Sequence, residues 1–187
     1  VIDNRTGRQV AELQQRRSEI LSARQIYCLG RYYNDALAAV EVNFSTYPER
    51  KLEEWEYPSL YQRERFDTYA NTMVKAFGWE TSGKTRPQAL AQLHTVMEES
   101  PELVVSQWTL GEMVVFVYDA HGKPQAAVGE HDDLVMAAAI THTARTQQRY
   151  TVQETAGSRK HWTPDMWEDW RRADPETRKY LEKKWAR

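Results

Sequence analysis

The apolar positions of the chain fall into alternating strand-like and helix-like stretches. Residues 1–13 read as strand, turn, strand, with Asn4 to Gly7 supplying the turn chemistry. Residues 18–34 carry Ile20, Leu21, Ile26, Tyr27, Leu29, Tyr32 and Tyr33 at helical spacing. Residues 36–43 form a short, nearly unbroken apolar run, the pattern of a strand buried on both faces of an α/β sheet. The acidic, aromatic, proline-containing stretch 47–61 predicts a loop with one helical turn. Residues 65–77 predict a short helix or an irregular segment.

Beyond them the signals sharpen. Pro87 opens a helix over 87–99, with Ala89, Leu90, Leu93, Val96 and Met97 on one face. A short helix over 106–112 comes next. Residues 113–118 and 123–128 then read as two strands of a hairpin around Asp119 to Gly122. The strongest helix covers 132–149, with Leu134, Val135, Ala138, Ile140, Thr141 and Ala144 spaced for burial. This order predicts an α/β layered domain with a mixed sheet over 1–150. A tail over 151–187 follows on a Ser/Gly-containing linker, with short helices starting at Thr163-Pro164-Asp165 and Asp174-Pro175-Glu176.

Composition narrows the picture only in places. The net charge of -2 gives no bulk basic character, yet an acidic metal site can offset a basic groove elsewhere. The single cysteine, Cys28, excludes a disulfide within the chain and fits a reducing cytoplasm; its setting near Ile26 and Leu29 predicts a buried apolar thiol. No apolar run approaches the roughly 20 residues that span a membrane. Four of the seven tryptophans lie in the tail, and they either pack back onto the domain or form a docking surface.

Two acidic features stand out. Glu41 interrupts the apolar run near its carboxyl end, where ligand sites of open α/β sheets lie. It is either a solvated residue of a strand that has emerged or a metal-binding carboxylate, because a lone buried carboxylate needs a partner. His131-Asp132-Asp133 opens the strongest helix, where an Asp either caps free N–H groups or faces a ligand. Together, Glu41 and the Asp pair offer the oxygen donors that Mg²⁺ prefers. Two ions held in this way would activate a water and stabilise the leaving oxygen of a phosphodiester.

Gly78-Trp79-Glu80-Thr81-Ser82-Gly83-Lys84-Thr85 matches every fixed position of a phosphate-binding loop. The sequence argues against that role. No convincing buried strand precedes it, Pro87 follows closely, and Trp79 and Glu80 put bulk and negative charge where phosphates would sit. No nucleotide-binding residues are assigned.

Glu41 in Ala39-Val40-Glu41-Val42-Asn43, Phe77-Gly78-Trp79-Glu80-Thr81 with Thr85-Arg86-Pro87, and Gly129-Glu130-His131-Asp132-Asp133-Leu134-Val135-Met136-Ala137 occur in the order found in one family. Over residues 1–145 the chain resembles the C-terminal nuclease domain of the terminase large subunit of tailed phages and prophages. The resemblance implies a ribonuclease H-like mixed sheet flanked by helices. It implies a metal-dependent endonuclease that cuts concatemeric double-stranded DNA for packaging, with Mg²⁺ or Mn²⁺ in a two-metal site. Glu41 matches the family's second acid and Asp132 or Asp133 its third, with His131 as a site neighbour. The family's first acid lies on a strand ahead of the opening hairpin, and nothing here matches it, so the expectation is an N-terminally incomplete domain. The implied partners are double-stranded DNA, the portal protein and the small terminase subunit, in the bacterial cytoplasm and transiently at the procapsid portal. The alternative is a catalytically incomplete remnant that docks on portal or capsid partners.

Overall fold

A computed structural model of the chain describes residues 1–148 and 161–186. The Ser/Gly-containing linker expected after about Tyr150 lies outside the described residues. The fold is mixed α/β, with seven α-helices and two small antiparallel sheets among the described residues. No described helix is long and apolar enough to cross a membrane.

The chain opens in a tight turn closed by a single antiparallel bridge between Ile2 and Gln9. Asp3 organises it: its carboxylate accepts from the Arg5 N–H and the Thr6 hydroxyl. Helix α1 (Glu19–Tyr32) follows and buries Ala23 and Tyr27, four residues apart on one face. Cys28 lies one position past that face and is exposed, which corrects the expected buried thiol. Helix α2 (Tyr47–Glu54) is longer than the single helical turn expected in the 47–61 loop. Pro48 sits in its first turn, where a missing N–H costs nothing.

Residues 65–77, expected to be helical or irregular, instead belong to a hairpin of β1 (Gln62–Asp67) and β2 (Thr72–Phe77), in register from Gln62↔Phe77 to Asp67↔Thr72. The Asp67 carboxylate makes the turn by accepting from the Tyr69 and Ala70 N–H groups, and Asn71 takes a positive φ of 50°. Helix α3 (Thr85–Glu99) begins two residues before Pro87. Helix α4 (Gln107–Val114) is capped by the Ser106 hydroxyl and uses two residues of the predicted strand. The second hairpin is therefore short, β3 (Phe116–Tyr118) against β4 (Pro124–Ala126). Helix α5 (Asp133–Ala144) ends in a 3-10 turn at Arg145–Gln147.

The predicted strand over 36–43 is not a continuous ladder. It makes two isolated parallel bridges, Ala38↔Leu60 and Glu41↔Trp79. Their bonds run from the Ala38 N–H to the Ser59 carbonyl, the Tyr61 N–H to the Ala38 carbonyl, the Trp79 N–H to the Val40 carbonyl and the Val42 N–H to the Trp79 carbonyl. The segment still works as an inner strand, because successive side chains alternate between two cores. Ala39 packs on a core of Trp79, Ala89, Leu93, Val104, Val135, Met136, Ala139 and Ile140, which joins α3 to α5. Ala38 and Val40 pack on the other core, built from α1, α2 and the tail.

The tail helices α6 (Pro164–Arg172) and α7 (Pro175–Lys184) start where the sequence predicts, capped by Thr163 and Asp174. Trp162 and Trp167 are buried beside Tyr27, Leu52, Trp55 and Tyr57, and the four tail tryptophans form one set of edge-on and tilted ring contacts. Arg24 pairs with Asp165 and with Glu168, fastening α6 to α1.

Candidate functional site

Glu41 and Trp79 are bridge partners, so their side chains stand on the same face of the paired backbone. Trp79 is only 4% exposed and packs in the core with Val135 and Met136, the third and fourth residues of α5. Ala39, two residues before Glu41 on the same face, packs on that core as well. Glu41 thus lies on the face of its segment that packs, through Ala39 and Trp79, on the core joining α3 and α5. Its side chain is exposed rather than buried, which corrects the expectation of a carboxylate interrupting a run closed on both faces.

Gly78 fixes this segment. Its φ is +81°, and a Cβ there would overlap Val42 Cγ1 and lie 2.9 Å from the Val40 carbonyl oxygen. Only glycine tolerates both conditions at once. Asn43 ties the next residues together, donating to the Thr81 carbonyl at 2.6 Å and accepting the Thr81 N–H at 2.7 Å. Glu49, a buried acid on α2, lies near Gly78 on the opposite face with Val40 and Val42, so it does not join Glu41. Burial first, then the nearby Glu53, raises its pKa.

At the start of α5 the two aspartates differ. Asp132 occupies the N-cap position, yet its side chain makes no capping bond. Its carboxylate pairs with Arg86 at 2.7 Å, with side-chain exposures of 28% and 20%. Asp133 is the first helical residue and is exposed, and His131 is exposed beside them. The cap comes from elsewhere: Glu112 on α4 accepts the Leu134 N–H at 2.7 Å and the Val135 N–H at 3.2 Å through one oxygen. Its other oxygen accepts from Gln14 at 3.2 Å. The Asp132 side chain therefore makes no cap here, while Asp133 stands in the first turn, where the helix dipole favours an acid.

Sequence reasoning missed both Glu112 and Arg86. Glu112 acts 22 residues away through tertiary packing and leaves no local signal. Arg86 stands in Thr85-Arg86-Pro87 and pairs across 46 residues. Among the described residues, no group of three His, Cys, Asp or Glu side chains gathers closely enough to hold a metal ion.

The loop that matches the phosphate-binding pattern runs from β2 into α3, but β2 is largely exposed, so no buried strand precedes it. Six of its eight N–H groups, however, are spent within the fold. Those of Gly78 and Trp79 go to the Tyr61 and Val40 carbonyls, and that of Thr81 goes to Asn43. That of Ser82 goes to the Thr85 hydroxyl, and those of Lys84 and Thr85 go to the Ser82 hydroxyl. A cradle for phosphate needs such donors pointing outward.

Compared with protein-family models and with curated proteins, the chain matches none.

Proposed function

We propose that residues 1–145 are the nuclease portion of a terminase large subunit, a ribonuclease H-like, metal-dependent endonuclease that cuts concatemeric double-stranded DNA during viral packaging. The observation that carries this reading is the shared surface of Glu41 and the α5 start. Glu41 pairs through Trp79 with the core that holds Val135 and Met136, and α5 begins with acids that Glu112 has relieved of capping. The resemblance in motif order suggests this identity, and the Glu41–Trp79 bridge on the α3–α5 core supports it.

The exposed Glu41 and Asp133 carboxylates are hard oxygen donors of the kind Mg²⁺ or Mn²⁺ takes, but among the described residues they are not gathered into a group of three ligands. A divalent ion there would polarise a water and a phosphodiester oxygen. The chain's own groups do the rest. Glu41 and the α5 carboxylates orient the reacting phosphate by holding its counter-charge. Lys84 and Lys123 are exposed on the two loops that flank the Arg86–Asp132–Pro124 contact, and they would meet the DNA backbone with salt-sensitive affinity. The resemblance puts a further acid on a strand ahead of the opening turn.

The test is supercoiled-plasmid cleavage in Mn²⁺ by this chain, by its Glu41→Ala variant, and by a version extended upstream through the family's first strand. Nicking or linearisation that needs Mn²⁺ and disappears in Glu41→Ala is expected from the extended version. Cleavage that persists without Glu41, or none from any version, would sink the reading.

A further inference from the structure

We infer that the second edge of the 37–41 segment is a strand-addition site, which takes an extended apolar segment of another polypeptide. The bridges of this segment use one edge only. The Ala38 N–H and C=O bond to Ser59 and Tyr61, and the Val40 C=O and Val42 N–H bond to Trp79. Backbone polar groups alternate in direction along an extended chain, so those of Leu37, Ala39 and Glu41 point to the opposite edge. On that edge the Gln148 side-chain oxygen accepts the Leu37 N–H at 2.6 Å. The N–H and C=O groups of Ala39 and Glu41 make no hydrogen bond among the described residues. A row of donors and acceptors left in this way matches the backbone of an added strand. Pairing here uses backbone groups and stands apart from the nuclease reading.

The surroundings state what the added strand is made of. An open cavity of about 230 Å³ is lined by residues 36–39, by Ile26 and Leu29 of α1 and by Thr141 and Ala144 of α5. Side chains of a strand laid there would alternate between the same two layers as those of Ala38 and Ala39. Both layers are apolar, so the fitting strand is a short unbroken run of small or β-branched apolar residues. Glu41 is exposed at the end of the edge and favours a lysine or arginine beside that run. Residues 37–41 contain no proline or lysine, the residues that commonly guard an open edge. A second copy of this chain is a poor occupant. Strand β1 carries Arg63, Glu64 and Arg65, β2 carries Lys75, and β3 and β4 are three residues long. The 37–41 run itself is held between its own two cores.

The probe is a synthetic peptide, a short run of valine and alanine ending in lysine, offered to the full chain in three forms. The first is unmodified. The second is N-methylated on alternate amides and keeps one pairing edge. The third is N-methylated on every amide and keeps none. The first two are expected to bind and to slow hydrogen exchange of the Ala39 and Glu41 amides, and the third to lose binding. Replacing the peptide's lysine with glutamate should weaken binding, because Glu41 would then face a like charge. Equal binding of all three forms, binding that leaves both amides unprotected, or no binding at all overturns the assignment. Protection of the same two amides by self-association of the chain, or by a preceding segment in a longer form of the protein, names a different occupant and overturns it as well.

Discussion

Glu112 on α4 accepts the N–H of Leu134 at the start of α5, 2.7 Å away, and thereby does the work that a helix-start aspartate usually does. Because the contact is tertiary, it couples the two helices as well as capping one. Glu112→Ala is predicted to cost about 1–2 kcal/mol, the range for loss of an N-cap. Glu112→Gln, which keeps an acceptor oxygen, should cost less. Urea unfolding of the three proteins checks this order. Equal stability in Glu112→Ala would mean that the helix start finds another acceptor.

The tail is part of the fold. Trp167 is 1% exposed, and its indole N–H donates to the Tyr27 hydroxyl at 3.2 Å, while that hydroxyl donates to the Trp162 carbonyl at 2.7 Å. Trp167→Ala is predicted to cost about 3–5 kcal/mol, as for other buried aromatic truncations. Deleting residues 161–187 should lower the melting temperature by at least as much. Denaturation followed by tryptophan fluorescence measures both, and an unchanged melting temperature would return these rings to a docking role.

Gly78 holds the Glu41 segment in place. Gly78→Ala puts a side chain at positive φ, which costs about 1–2 kcal/mol, and adds overlap with Val42. The Val40–Trp79 and Val42–Trp79 bonds should weaken with it. Faster amide exchange at Val42 and Trp79 than in the parent chain is the expected signature.

His142 gives the fold an acid limit. It is 3% exposed and its Nδ1 is without a partner among the described residues. Burial first, then the charge of Arg145, pushes its pKa down to about 4. Since the folded value lies below the unfolded one, the unfolded chain takes up the proton first as pH falls. Stability is therefore undiminished by this group above about pH 6.5 and declines from there toward about pH 4. His142→Leu should flatten the fall in melting temperature between about pH 7 and about pH 5. An identical pH profile in the variant would remove His142 from the acid response.

What was legible in the sequence follows the range of the interactions involved. The α6 and α7 starts were readable because Thr163 and Asp174 cap the N–H groups two or three residues ahead of them. Hairpin β3–β4 was readable from the Asp119-to-Gly122 turn. Hairpin β1–β2 was not, because Gln62-Arg63-Glu64-Arg65 lacks the alternation of a half-buried strand and the ribbon lies mostly exposed. The 36–43 segment was read as a buried strand because it is apolar toward both cores. Its partners, at 59–61 and 78–79, are too short to form a ladder, so only bridges result. At the site, Glu41 and the aspartate pair were visible as acids in unusual settings. The Arg86–Asp132 pair and the Glu112 cap were not, since Arg86 and Glu112 meet α5 only after folding.

The central claim is that Glu41 and the start of α5 form one cation site. Anomalous diffraction from crystals of this chain grown with Mn²⁺ tests it most directly. The predicted result is a peak between the Glu41 and Asp133 carboxylates, with Arg86 still on Asp132. Mn²⁺ bound away from both residues, or no peak at either carboxylate, would contradict it.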